Sequence, residues 1–147
     1  MFKLIQPFQV QTVYMGSIDH GQDIMTTLET FCREHNIQTA WLHLMGALSE
    51  VTLAYYEQQG HQYVQQHFVG EFEILNGTGN ISLKDNSPMA HVHLTLSNTD
   101  FGCLGGHLIK GTSKVFACEF ALFALNGETL LHRKPDEKTG LTLWSPP

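Results

Sequence analysis

Basic residues are scarce in this 147-residue chain, and they do not gather anywhere. Eight Lys and Arg stand against 14 Asp and Glu, a formal charge of -6. The densest basic stretch, Arg133-Lys134 with Lys138, is broken by Asp136 and Glu137. Duplex DNA is held by concentrated positive charge that displaces counterions, so this domain alone is expected to bind DNA weakly and without sequence preference. The three cysteines, Cys32, Cys103 and Cys118, form no CxxC pair and leave an odd thiol. Reduced thiols in a cytoplasmic protein, rather than a disulfide framework, are therefore expected. No apolar run approaches the ~20 residues of a membrane span, and the opening MFKLIQP is interrupted too early by Gln6 and Pro7 for a secretory leader. A GxSxG elbow, a P-loop and a dinucleotide-binding glycine fingerprint are all missing. Repeats, low-complexity segments and linkers are missing too, so residues 1–147 read as a single domain.

What is present alternates. Residues 8–15, FQVQTVYM, mix β-branched and aromatic side chains as a strand does. Ile24, Met25, Leu28, Phe31 and Cys32 then recur at helical spacing, with Asp19 or Ser17 as a cap at the start and Asn36 at the end. From Thr39 onward the pattern is strands and turns. KVFACEFALFAL is nearly unbroken in its apolar character, which predicts a strand buried on both faces. The tail HRKPDEKTGLTLW reads as a polar loop and a short strand. The fold class that follows is α+β: one main helix on a mostly antiparallel sheet, closed in part toward a barrel.

The chemistry concentrates in HVHLTLSNTDFGCLGGH, residues 91–107. In a strand, successive side chains point to opposite faces. Val92, Leu94 and Leu96 take the core face, while His91, His93 and Thr95 take the other. Two residues of strand separate His91 and His93 by ~7 Å, a spacing from which two imidazoles can converge on one ion. A hairpin centred on Asp100 pairs Ser97 with Cys103, Thr95 with Gly105 and His93 with His107. Directly opposed residues share a face, so His107 arrives beside the other two. Gly105, opposite Thr95, is expected to leave open space there. Three histidines with a free position suit an exchangeable or catalytic metal site, Zn²⁺ first, with Ni²⁺, Fe²⁺ and Mn²⁺ as alternatives. A one-residue bulge at Gly105-Gly106 would turn His107 away. The competing reading is a surface hairpin carrying three solvated histidines. His67 is an outside candidate for a fourth contact.

Carboxylates placed to act beside a metal are few. Glu119 interrupts VFACEFALF, and a buried charge needs a partner. If its strand lies beside residues 103–110, Glu119 is the candidate catalytic acid/base; a structural ion pair across a subunit boundary is the alternative. Glu71 and Glu73 share one strand face and read as solvated.

GEFEIL, GTGNISL, HVHLTLS and GGHL followed by Gly111 together resemble the plants-and-prokaryotes-conserved (PPC) domain. The likeness extends to GQDIMTTLETFCREHNI, MGALSEVTLAYY and RKPDEKTGLTL. It implies a homotrimer with sites near subunit boundaries, and a metal at His91, His93 and His107. The family's prokaryotic single-domain members carry a DNA-binding label, and their fold is similar to that of acetolactate decarboxylase. Fold similarity transfers no reaction. Two functions follow as expectations: a trimeric metal-binding domain that takes a small molecule or partner, or a metal-dependent lyase or hydrolase of small carbonyl or carboxylate compounds.

Overall fold

Alternation of small β-branched and polar residues produces strands throughout, and one short interval breaks the period. In the computed structural model, which describes residues 3–145, the elements run β1 (Gln9–Ile18), α1 (Ile24–Glu34), β2 (Ala40–Glu57), β3 (Gln62–Lys84), β4 (Ser87–Ser97), β5 (Cys103–Leu108), β6 (Lys114–Asn126), β7 (His132–Pro135) and β8 (Thr142–Ser145). They form one mixed sheet in the order β1-β6-β2-β5-β4-β3-β7-β8. β2 also pairs with β3, so β2, β3, β4 and β5 make a ring-like arrangement without becoming a regular barrel. The β3–β7 bridge is parallel, and the other pairings are antiparallel.

The ring encloses the core. Leu42, Leu48, Ile81, Val92, Leu96, Leu108, Val115 and Leu122 are fully buried on its inner face. Helix α1 closes that core with Ile24, Met25, Leu28 and Cys32 and lies over β4. Its cap is Asp23 rather than Asp19 or Ser17. The Asp23 carboxylate accepts from the Thr26 amide at 2.8 Å and also from Ser113 Oγ, so one side chain caps α1 and ties it to the start of β6. At the other end Asn36 takes a left-handed φ of 54°, and the Ile37 amide reaches back to the Cys32 carbonyl at 2.8 Å.

Two expectations about β6 are corrected. It is not buried on both faces: Val115, Cys118, Leu122 and Ala124 point inward, while Phe116 and Glu119 are exposed. Nor does it lie beside β5, because β2 is interposed and pairs with both. The short Gly111-Thr112-Ser113 turn carries the chain past its neighbour. At the β2–β6 contact Gly46 has φ 139°, and a Cβ there would stand 2.1 Å from the Ala117 carbonyl oxygen. Only glycine lets the two strands approach this closely.

Candidate metal centre

The hairpin β4–β5 folds in the register read from its turn: His93 faces His107, Thr95 faces Gly105, and Ser97 faces Cys103. The turn is held by Asn98, whose Oδ1 accepts from the Asp100 and Gly102 amides at 3.1 and 2.8 Å. With no bulge at Gly105-Gly106, the odd-numbered side chains stay on the outer face. His91, His93 and His107 each place a ring nitrogen within 4.8 Å of the others. Their ring centroids are 5.0–5.3 Å apart.

This arrangement fits a metal. The Nε2 atoms of His91 and His93 are 3.2 Å apart, close to the ~3.3 Å edge of a tetrahedron with ~2.0–2.1 Å zinc–nitrogen bonds. His107 Nδ1 is buried without a hydrogen-bond partner, the kind of atom that an ion would satisfy. Burial, then the Arg133 charge, then the neighbouring histidines push His91 down to about 4. Burial leads again for His107, also about 4, with His93 and Arg133 adding to it. Burial lowers His93 as well. Neutral rings at physiological pH are what metal ligation requires. Among the described residues no carboxylate joins the group.

Other candidate residues stand elsewhere. Glu119 pairs laterally with Met45 on β2 and Ser17 on β1. It faces the same outer surface as the histidines but lies three strands from β4, about 14 Å at sheet spacing. Within one chain it does not reach the triad. His67 bonds Thr52 Oγ1 at 3.0 Å and pairs with Glu50, which also holds Lys114. Glu71 and Glu73 line a separate cavity of about 390 Å³ with Phe72, Phe101 and Phe116. Gly105 does not provide open space: a Cβ there would lie 2.7 Å from the Leu94 carbonyl oxygen, so the glycine serves close strand approach.

Sequence reasoning missed Tyr63 and Arg133. Tyr63 stacks on His107 with centroids 5.0 Å apart and planes at 24°. Arg133 comes from β7, part of the tail read as a loop. It donates from Nε to Ser82 Oγ at 2.8 Å, from Nη2 to Asn80 Oδ1 at 2.8 Å and from Nη1 to the Thr142 carbonyl at 3.2 Å. Its Nη2 also lies 3.3 Å from His91 Nδ1, and its guanidinium sits over Trp144. No local pattern signals this placement, because β7 joins β3 through the single bridge Leu83–His132.

A ring-like antiparallel sheet, one helix and an outward three-histidine cluster define a small α+β domain built around a candidate metal centre. The chain belongs to the Plants and Prokaryotes Conserved (PCC) domain family, whose description matches residues 5–126. It is 35% identical to a metal-containing protein of Archaeoglobus fulgidus, covering 96% of this chain and 98% of that one at a TM-score of 0.90. A plant- and prokaryote-conserved protein of Pyrococcus horikoshii is 31% identical, with 97% of each chain covered and a TM-score of 0.91. The α-acetolactate decarboxylase of Bacillus subtilis shares the fold alone: 13% identity, 92% of this chain and 61% of that one, TM-score 0.53. No curated protein matches the chain in sequence.

Proposed function

We propose that this protein is a homotrimeric metal-binding domain whose three-histidine site, loaded with zinc, takes a small molecule or partner in a binding or regulatory role. The observation that carries this reading is the convergence of three neutral imidazoles in a group without a carboxylate. Three ligands leave a metal with a free position, and among the described residues no carboxylate joins the group to handle a proton there. The metal-containing relative from Archaeoglobus fulgidus supports the same reading. Assembly is supported by the outer face beside the triad. Val13, Met15, Trp41 and Met45 are exposed on that face, Met15 by 82%, and clustered exposed apolar side chains mark interaction surfaces.

The test is metal analysis after purification without added metal, together with light scattering. One divalent ion per chain in the wild type, lost in His93→Ala, and a mass of three chains are the expected results. A protein that neither retains nor takes up zinc at neutral pH would refute the metal reading, and a monomer at micromolar concentration would refute the trimer.

A catalytic alternative, a lyase or hydrolase of a small carbonyl or carboxylate compound, has one observation in its favour. Glu119 is exposed on the same face as the triad, so a neighbouring copy's Glu119 is a candidate acid/base. Glu119→Gln that keeps its metal and loses turnover in a small-metabolite screen would support this alternative.

A further inference from the structure

Arg133 is a half-buried cation without an anion. Lys3, Lys110 and Lys114 each meet a carboxylate. Among the described residues no carboxylate pairs with Arg133. Its neighbours are Ser82 Oγ, Asn80 Oδ1, the Thr142 carbonyl, the Trp144 ring and His91 Nδ1. Neutral dipoles hold the guanidinium in a fixed orientation at the edge of the histidine cluster but leave its charge uncompensated, a condition that favours uptake of an anion.

The hydrogen-bond roles around His91 say where that anion belongs. A guanidinium only donates. In the 3.3 Å contact His91 Nδ1 is therefore the acceptor, and the ring proton sits on Nε2, facing His93 Nε2 at 3.2 Å. A metal held through His91 Nε2 requires the other tautomer, with the proton on Nδ1. Two donors, Nδ1–H and an Nη2–H of Arg133, then face each other without an acceptor. Metal-ligating histidines ordinarily give that second N–H to a carboxylate or a carbonyl. This chain places an arginine at that position instead.

Resting on the metal-site reading above, we propose that a small carboxylate ligand completes the site by accepting from both His91 Nδ1–H and the Arg133 guanidinium. Metal and carboxylate then bind cooperatively. Each ligand favours the arrangement that the other needs, and by linkage the enhancement is the same in both directions. The acceptor that most metal sites draw from the protein is supplied here by the ligand.

The experiment measures zinc affinity by competition with a chromophoric chelator, in acetate and in chloride at equal ionic strength and neutral pH. Wild type should bind zinc about tenfold more tightly in acetate, the low end of the effect of a missing outer acceptor. Arg133→Gln should bind zinc with the same affinity in both buffers. Asn80→Asp places a fixed carboxylate beside Arg133 and should likewise abolish the acetate dependence, providing a second route if Arg133→Gln folds poorly. Equal zinc affinity of the wild type in both buffers would overturn the inference and leave the metal site standing, as would an acetate effect that persists in Arg133→Gln. Failure to bind zinc in either buffer would instead overturn the metal-site reading itself. Enhancement by phosphate but not by acetate would show that the guanidinium selects a different oxyanion, and it also counts against the carboxylate.

Discussion

Lys110→Ala should destabilise the protein as much as Glu29→Ala does, although Lys110 is half exposed and Glu29 is 4% exposed. Glu29 lies on the inner face of α1. One carboxylate oxygen accepts from the Ala90 amide at 3.0 Å and the other meets Lys110 Nζ. Glu29→Ala leaves a buried amide without an acceptor, which costs about 1–3 kcal/mol, and removes a charge-assisted bond worth about 1.5–3 kcal/mol. Lys110 can turn to water, so no stranded charge is added and the total is about 2.5–6 kcal/mol. Glu29→Gln keeps the acceptor for the Ala90 amide and should lose only the charge-assisted bond, about 1.5–3 kcal/mol. Lys110→Ala strands the carboxylate itself, and breaking a buried pair in this way costs about 3–5 kcal/mol, within the Glu29→Ala range. Urea denaturation of the metal-free protein, read at constant m-value, measures the three variants. If Lys110→Ala falls within 0.5 kcal/mol of wild type on the order expected for a surface pair, the carboxylate is solvated, and the account of how α1 is fastened beside His91 is wrong.

The thiols should divide by burial. Cys103 is exposed, whereas burial pushes Cys32 up to about 12, with Glu29 adding to it, and Cys118 up to about 11, with Glu119 adding to it. One thiol per chain should therefore react quickly with a maleimide under native conditions and three in denaturant; two or more fast thiols would contradict the packing. The metal-free protein should also lose stability in mild acid. His91 and His107 ionise near pH 4 when folded and near 6.5 when unfolded, so the unfolded chain binds more protons between those values. Stability is complete above about pH 6.5 and declines as pH falls toward 4, by a few kcal/mol after allowing for solvent screening. His91→Ala combined with His107→Ala should flatten that slope, measured by denaturation at pH 7.0, 6.0 and 5.0 (values on the order of the titration window).

The candidate site was legible because its determinants are local. Alternation sorted His91 and His93 from Val92 and Leu94, and Asn98 and Gly102 located the turn that fixes where His107 arrives. The 17 residues from His91 to His107 contain all of this. The positions of β6 and Glu119 were not legible, since they depend on β2 standing between β5 and β6. β2 and β3 are long enough to pair with each other and with other strands at different points along their length. Hydrophobic pattern reports which face is buried in the finished sheet but not which strand is the neighbour. The apolar outer positions of β6 misled for the same reason: a strand that is half exposed in one chain carries the same residues as one buried on both faces.

The two halves of the proposed ligand site rest on supports of different strength. The histidines stand on β4 and β5, whose ladder of paired residues is continuous with β3. Arg133 stands on β7, joined to β3 by one bridge, by the 2.8 Å bond from the Leu83 amide to the Leu131 carbonyl, and by the bonds of Arg133 itself to Asn80 and Ser82. Segments held by few backbone bonds open at lower free energy than the sheet they adjoin. Opening of β7 and β8 would remove the guanidinium and leave the three imidazoles in place. A bound carboxylate opposes that opening through its bonds to Arg133. Carboxylate binding and closure of the tail are therefore the same equilibrium seen from two sides, and hydrogen exchange at the Leu83 and Asp136 amides, which donate to the Leu131 and Leu141 carbonyls, should slow when zinc and acetate are both present.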